Sequence, residues 1–114
     1  MKIPFMKAQG AGNDFIIVDK NVDFIRKSKK AIRRLCDRRF GVGCDQLILL
    51  KKISSYYQVT FYNSDGSLGK NCGNGLRCAY KYLVEIKKVK KAVIKTHKFL
   101  HFGKKTQKLS LIHI

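Results

Sequence analysis

Short apolar segments, separated by polar loops that contain glycine, run through much of the chain. Residues 15–18 and 47–50 are continuous apolar runs, which are typical of buried strands. Residues 56–62 include a stretch in which polar and apolar side chains alternate, as they do in a half-buried strand. Residues 3–7 are predicted as a short edge strand, because Pro4 lacks the N–H that an interior strand uses. The pattern therefore predicts strands joined by glycine-rich turns, with a hairpin-like turn directly before residue 15.

A helix that is apolar around most of its circumference is predicted at residues 72–86. Only Arg77, Lys81 and Glu85 form a polar stripe there, at a spacing of four residues. A helix with so little polar surface is buried. It needs a sheet around it, and the neighbouring short strands can supply one.

A surface helix is predicted to begin at Asp23 or Ser28, either of which can cap it, and to end near Arg39. Apolar residues recur along one side of this segment, and arginine and lysine cover the other. Cys36 lies on the apolar side and is expected in the core.

The C-terminal part of the chain predicts two or three further strands, within residues 89–94, 99–102 and 109–114, with a turn at residues 103–105. A chain of 114 residues is long enough for one hydrophobic core. Together the patterns predict a single α+β domain over residues 1–114, in which a mixed or antiparallel sheet curls around the buried helix.

Composition is typical of a folded cytoplasmic protein. Apolar residues make up 45% of the chain, and no run approaches the roughly 18 consecutive apolar residues of a membrane span. The N-terminus lacks the apolar block and cleavage site of a signal peptide. The four cysteines include no C-x-x-C pair, so we expect reduced thiols, with neither a disulfide framework nor a zinc site.

The chain is strongly basic, with 25 lysines and arginines against seven acids and a formal charge of +18. A charge of this size is typical of proteins that bind nucleic acid or another anionic surface. No recognisable RNA- or DNA-binding module accompanies it, and the basic residues can equally cover solvated helix faces and strand ends. Nucleic acid is therefore not expected as the partner, although a basic nucleic-acid-binding half-domain stays open as an alternative.

Cys72 directly precedes the predicted buried helix and is the main candidate for chemistry. A helix N-terminus has unpaired N–H groups and a partial positive charge, so a thiol there is biased toward thiolate and nearby amides can hold a carboxylate. The alternative is a cysteine that only packs at the helix start. Asn63, in the turn that follows the predicted strand at residues 56–62, is placed near Cys72 by the short connection between them.

Other polar side chains lie in the loops that precede strands. Asn13 and Asp14 are common turn residues, and Gln46 at a loop–strand junction points either into a site or into solvent. Cys44 lies in the same candidate substrate-facing loop as Gln46, whereas Cys78 falls within the apolar helix surface and is expected in the core.

Four motifs occur along the chain in one order: Gly-Ala-Gly-Asn-Asp-Phe at 10–15, Gly-Val-Gly-Cys-Asp-Gln at 41–46, Tyr-Asn-Ser-Asp-Gly-Ser at 62–67 and Cys-Gly-Asn-Gly-Leu-Arg-Cys at 72–78. Over about residues 1–87 they resemble the N-terminal half of diaminopimelate epimerase. The resemblance implies an isomerase that interconverts LL- and meso-diaminopimelate in lysine and peptidoglycan precursor biosynthesis, without pyridoxal phosphate, another cofactor or a metal.

Matched motif by motif, the resemblance also implies residue roles. Cys72 takes the place of one of two catalytic cysteines. The implied substrate-binding residues lie on the same loops and at the helix start: Asn13, Gln46, Asn63, Gly73 and Asn74. The backbone amides of the last two hold the α-carboxylate. Removing an α-proton without an electron sink requires a base whose pKa is adjusted by its surroundings. It also requires hydrogen-bond donors directed at the carboxylate on which negative charge develops.

The chain departs from the family at Leu68, where an acidic residue is common. It also departs in length, because the family consists of two similar halves that face one cleft and this chain resembles only the first half. Inversion of a carbon requires one group to remove a proton from one face and another group to deliver a proton to the opposite face. Cys72 alone cannot do both. The resemblance therefore implies that a C-terminal half is missing, and we expect the lone chain to be inactive or nearly so.

The expected partners are a small amino-acid substrate and the missing C-terminal half, with a homodimer left open. A truncated or split-gene remnant without catalysis is an alternative. Another cofactor-free isomerase, of the proline racemase or phenazine-pathway type, is a second alternative, against which Gln46 and the turn at Asn63 argue.

Overall fold

The computed structural model describes residues 3–10, 12–70, 73–96 and 100–104. Within these ranges the chain forms six strands, three α-helices and one π-helical turn. In chain order they are β1 (Met6–Gly10), β2 (Asn13–Val18), α1 (Val22–Arg26), α2 (Lys29–Cys36), β3 (Gln46–Ile53), β4 (Tyr56–Asn63), α3 (Gly73–Lys81), the π-helical turn (Tyr82–Ile86), β5 (Lys91–Lys95) and β6 (Leu100–Lys104).

The six strands form one mixed sheet in the order β1-β2-β3-β4-β5-β6, so each strand lies beside its neighbours in sequence. The pairs β1–β2, β3–β4 and β5–β6 are antiparallel, whereas β2–β3 and β4–β5 are parallel. Helices supply both parallel crossovers, with α1 and α2 between β2 and β3, and α3 between β4 and β5. This architecture confirms the predicted α+β class.

Both faces of the sheet carry apolar side chains covered by helices. On the face that we call the α3 face, strand residues pack with α3 and the π-helical turn: Ala8, Phe15, Ile17, Ile48, Leu50, Val59, Phe61, Cys78, Ala79, Leu83 and Ile94. On the opposite face, the α1–α2 face, the packed residues are Ile16, Val18, Val22, Ile25, Ile32, Cys36, Cys44, Leu47, Leu49 and Tyr62. Burial on both faces explains why β2 and β3 are continuous apolar runs.

The predicted surface helix is found as two helices. Ser28 caps α2, since its side chain accepts a hydrogen bond from a backbone N–H of the first turn at 3.1 Å. Asp23 lies inside the separate helix α1. The predicted end near Arg39 is wrong, because α2 ends at Cys36 and Asp37 is extended. The Asp37 carboxylate then accepts a hydrogen bond from the Arg39 N–H at 2.8 Å, which holds a turn in place of a further helical turn.

β1 and β2 form an antiparallel hairpin with Gly10 opposite Asn13 at its tip, which confirms the hairpin-like turn. β1 lies at the edge of the sheet, as predicted. The predicted bounds, residues 3–7, begin too near the N-terminus, because the pairing with β2 begins only at Met6. Pro4 lies before the paired segment and is exposed.

The helix predicted at residues 72–86 is found as α3 followed by the π-helical turn. Cys78 and Leu83 are completely buried, in agreement with the predicted burial, whereas Ile86 at the end of the π-helical turn is 52% exposed, against it. Beyond the π-helical turn the Lys87 N–H donates a hydrogen bond to the Tyr82 carbonyl at 3.1 Å. In the described ranges, no helix has the length and apolar character needed to cross a membrane.

Strands β5 and β6 confirm two of the predicted C-terminal strands. The turn predicted at residues 103–105 is wrong for Gly103 and Lys104, which continue β6 and pair with β5. Residue 105 and the strand predicted at residues 109–114 lie outside the described residues.

Candidate active site

The three side chains predicted to bind substrate lie at one end of the sheet. Asn13 begins β2, Gln46 begins β3 and Asn63 ends β4. Because β2 and β3 are parallel and β3 and β4 are antiparallel, these positions meet at the same end. In the register Gln46 lies opposite Asn63, and Phe15, two residues after Asn13, lies opposite Gln46.

The same three side chains share one face of the sheet. Successive side chains of a strand alternate between faces, so residues two apart lie on the same side. Each of the three is two residues from a member of the α3-face cluster, namely Phe15, Ile48 and Phe61. The sheet therefore presents three carboxamides together, on the face that carries α3.

Gln46 and Asn63 are in direct contact. Gln46 Nε2 donates to Asn63 Oδ1 at 3.4 Å, and Asn63 Nδ2 donates to the Ser67 hydroxyl at 3.0 Å. Ser67 is fixed in turn by Asp65, whose carboxylate accepts hydrogen bonds from the Ser67 N–H at 2.8 Å and from its hydroxyl at 2.6 Å. The turn that follows β4 thus orients the Asn63 amide, a role of Ser67 that the sequence analysis missed.

The backbone at Gly69 passes directly over this pair. A Cβ at Gly69 would lie 2.9 Å from Gln46 Nε2 and 3.1 Å from Asn63 Oδ1. The Gly69 N–H donates to the Phe61 carbonyl at 2.7 Å, which holds the segment in place. A side chain at this position would therefore have to displace the end of the Gln46 side chain.

The N-terminal turn of α3 lies against the same end of the sheet. A Cβ at Gly75 would lie 2.5 Å from Phe61 Cε1, so the helix start presses on β4 two residues before Asn63. Gly73 is exposed and Asn74 half-buried in the first turn of α3, where N–H groups have no acceptor within the helix. Cys72 lies outside the described residues, so the structure gives no geometry for its thiol.

An ionic cluster that the sequence analysis missed lies behind the site. Arg38 donates from Nη1 and Nη2 to Asp14 Oδ2 and Oδ1, both at 2.9 Å, and Lys7 Nζ lies 2.9 Å from Asp14 Oδ2. Arg38 also reaches Asp45 Oδ1 at 3.1 Å. The bond from Arg38 is the main reason that the pKa of Asp14 lies well below its usual range, with Lys7 acting in the same direction and burial opposing both.

Asp14 and Asp45 also fasten the starts of β2 and β3 to each other. The Asp45 N–H donates to Asp14 Oδ1 at 2.8 Å, and the Asp14 N–H donates to Asp45 Oδ2 at 3.1 Å. Their chain neighbours are Asn13 and Gln46, so the reciprocal pair sets the spacing of two candidate substrate contacts. One sequence signal could have found it, because Asp14 directly precedes the uncharged apolar run at residues 15–18 and Asp45 lies two residues before the run at residues 47–50.

Cys36 and Cys78 are buried in the core as predicted. Cys44 does not face the candidate site. It is 2% exposed, packs in the α1–α2-face cluster, and its sulfur lies 3.4 Å from that of Cys36. Among the described residues, His, Cys, Asp and Glu side chains form no group of three that could hold a metal ion.

Comparison with known proteins connects this site to one family. The family model described as diaminopimelate epimerase matches residues 5–98. A diaminopimelate epimerase of Leptospira biflexa is 42% identical over 101 residues, which are 86% of this chain and 36% of that protein. One from Natranaerobius thermophilus is 45% identical over 86 residues, which are 71% of this chain and 28% of that protein. The chain thus spans about a third of the length of these curated relatives.

Solved structures share the fold at low sequence identity. A phenazine biosynthesis PhzF family protein from Enterococcus faecalis has a TM-score of 0.70 and 11% identity, over 95% of this chain and 42% of that one. A methylitaconate-delta-isomerase has a TM-score of 0.68 and 16% identity, over 94% of this chain and 35% of that one. In both cases the match covers less than half of the larger protein.

Proposed function

The chain belongs to the diaminopimelate epimerase family, and on that ground we propose that it is the N-terminal half of an enzyme that interconverts LL- and meso-diaminopimelate. The proposed reaction uses two cysteines as acid and base, without a cofactor. One observation supports it most: Gln46, Asn63 and the start of α3 meet at one end and on one face of the sheet.

In this proposal Cys72 is one of the two acid/base groups. It directly precedes α3 in sequence, where the partial positive charge of a helix N-terminus favours a thiolate. The first-turn N–H groups of Gly73 and Asn74 bind the α-carboxylate of the substrate. Because negative charge spreads onto that carboxylate as the α-proton leaves, these donors act most strongly in the transition state.

The carboxamides of Asn13, Gln46 and Asn63 contact the polar groups of the substrate. Gln46 and Asn63 are half-buried and already hydrogen-bonded, so their positions are fixed before a ligand enters. Fixed contacts of this kind hold the reacting carbon in the geometry that proton transfer requires. They support binding of a small amino acid with several polar groups.

The described half-site faces the substrate from one side only. Proton delivery to the opposite face of the α-carbon requires a second group, which we assign to the C-terminal part of the family's proteins. Residues 1–114 then form one half-domain of a cytoplasmic enzyme, and the lone chain has little or no epimerase activity.

The proposal is tested by mixing the purified chain with the C-terminal half of the Leptospira biflexa relative and following conversion of LL- to meso-diaminopimelate by chiral chromatography. We expect conversion in the mixture and none with either half alone. A mixture that forms a complex and leaves LL-diaminopimelate unchanged would favour a remnant without catalysis. Salt-dependent retention of the lone chain on a nucleic acid column, together with an inactive mixture, would favour the basic binding half-domain.

A further inference from the structure

Two thiols lie side by side on the α1–α2 face, on the side of the sheet away from the proposed active site. Cys36 is the last residue of α2, and Cys44 lies in the loop that leads into β3. The Cys44 thiol donates to the Cys36 sulfur at 3.4 Å, and the Cys44 N–H donates to the Cys36 carbonyl at 3.2 Å. Contacts of both backbone and side chain thus hold the two cysteines together.

A pocket of about 390 Å³ is lined in part by both cysteines. Besides the two cysteines, its lining is mainly charged: Arg33, Asp37, Arg38, Asp45 and Ser64. Each cysteine is only 2% exposed, so the pocket is where a small polar molecule comes next to these otherwise shielded residues.

The two thiols differ in their ease of ionisation. The hydrogen bond from Cys44 lowers the pKa of Cys36, and the positive charge of Lys7 acts in the same direction against the effect of burial. The same hydrogen bond, with burial second, raises the pKa of Cys44. A thiolate is the nucleophile in thiol oxidation, so Cys36 is the sulfur that reacts first and Cys44 is the neighbour that keeps its proton.

We propose that Cys36 and Cys44 form a redox-active dithiol that hydrogen peroxide converts into a disulfide. The Cys36 thiolate attacks one peroxide oxygen, so that an S–O bond forms, the O–O bond breaks and hydroxide leaves to become water. The Cys44 sulfur then attacks the resulting sulfenic acid, so that the S–S bond forms, the S–O bond breaks and a second water leaves with the Cys44 proton. Two thiols lose two electrons in total, and one peroxide gains them.

Formation of the bond requires only a small local movement. The sulfurs, now 3.4 Å apart, must approach to about 2.05 Å. The loop that joins the two cysteines contains Gly41 and Gly43. The N–H groups of Val42 and Gly43 donate hydrogen bonds to the Leu35 carbonyl at 3.1 and 3.0 Å. The reaction does not depend on the proposed epimerase function, because that function uses neither thiol.

Tryptic mapping of the peroxide-treated chain tests this proposal, because trypsin places each cysteine in a separate peptide. Cys36 falls in residues 35–38, Cys44 in 40–51, Cys72 in 71–77 and Cys78 in 78–81. The folded 114-residue chain is treated with hydrogen peroxide, free thiols are alkylated, and the digest is analysed by mass spectrometry with and without dithiothreitol.

We expect residues 35–38 linked to residues 40–51, with a mass about 2 Da below the sum of the two reduced peptides, and release of both by dithiothreitol. Linking should be at least about tenfold faster in the folded chain than in urea, since folding holds the sulfurs together. Equal rates in both states, both thiols recovered in alkylated form, or either thiol linked to Cys72 would overturn the proposal.

Variants give an independent readout. Cys36→Ser and Cys44→Ser should each abolish the linked peptide, whereas Cys78→Ala, which removes another buried thiol, should leave its yield unchanged. Retention of the linked mass in Cys36→Ser would overturn the assignment. The map of the unmodified chain decides the matter even where a serine variant fails to fold.

Discussion

Arg38 holds Asp14 through both terminal nitrogens, with Nη1–Oδ2 and Nη2–Oδ1 distances of 2.9 Å each. The Asp14 side chain is only 12% exposed, and its carboxylate also accepts a hydrogen bond from the Asp45 N–H at 2.8 Å. Bidentate pairs of this kind fix orientation as well as contributing energy. The pair therefore joins the turn after α2 to the starts of β2 and β3, next to the candidate active site.

Asp14→Asn should destabilise the fold. The substitution removes the charge that Arg38 and Lys7 share and should lower the free energy of unfolding by about 1–3 kcal/mol. Asp23→Asn is the matched control, because Asp23 also pairs with two cations, Lys51 at 2.8 Å and Arg26 at 3.3 Å, but is 50% exposed. The loss of stability in Asp23→Asn should be clearly smaller, because solvent screens an exposed ion pair. Urea unfolding of both variants measures the difference, and equal losses would contradict the structural role of the cluster.

Stability should fall in acid through Asp14. Its pKa is lowered in the folded state, mainly by Arg38, so the folded state favours the carboxylate more than the unfolded state does. This contribution is complete above the unfolded pKa of about 3.9 and is lost as the pH falls through that value toward the lower folded pKa. Unfolding measured at several pH values should show a steeper acid loss for the parent than for Asp14→Asn, and parallel curves would refute this assignment.

Gly75→Ala should strain the junction of α3 with β4. The added methyl would lie 2.5 Å from Phe61 Cε1, so the ring or the helix must move, at a cost of about 1–3 kcal/mol. Gly73→Ala is the control in the same helix, since its Cβ meets nothing within 4 Å, and it should be neutral or stabilising by up to about 1 kcal/mol. Thermal unfolding compares the two, and a Gly75→Ala variant as stable as Gly73→Ala would show that α3 does not press on Phe61.

Gly69→Ala should weaken substrate binding in the mixture of the two halves. The new Cβ would displace the Gln46 and Asn63 amides that it meets at 2.9 and 3.1 Å. We expect the KM for LL-diaminopimelate to rise by about tenfold or more, since small misplacements of positioning groups are costly. Leu68→Ala, at an adjacent side chain that is 58% exposed, should leave KM unchanged. A KM that responds equally to both changes would argue against a role for the Gln46–Asn63 pair.

Local patterns were enough to predict much of the fold. The apolar runs of β2 and β3, the helix cap at Asp23 or Ser28 and the helix after Cys72 follow from periodicity and side-chain chemistry within a few residues. The contact between Gln46 and Asn63 follows from the same information only once β3 and β4 are paired in register. These features depend on residues close together in sequence or on strands that follow each other along the chain.

Contacts between distant segments could not be predicted in this way. Asp14 and Arg38 lie 24 residues apart in sequence, and their meeting depends on how α2 crosses the sheet. Cys44 shares a candidate substrate-facing loop with Gln46, yet it lies before β3 begins, where strand alternation does not apply, and it packs in the cluster on the opposite face. The end of α2 was missed because Asp37 forms a turn with its own side chain in a segment that is otherwise compatible with helix.

The central claim, that Cys72 is half of a catalytic pair, is tested most directly by α-proton exchange. Diaminopimelate is incubated in deuterated water with the two mixed halves, carrying either the parent chain or Cys72→Ser, and deuterium at the α-carbon is followed by NMR. A serine hydroxyl is a far weaker base than a thiolate, so exchange should slow by at least about a hundredfold while complex formation is retained. A Cys72→Ser mixture that exchanges as fast as the parent would contradict the account.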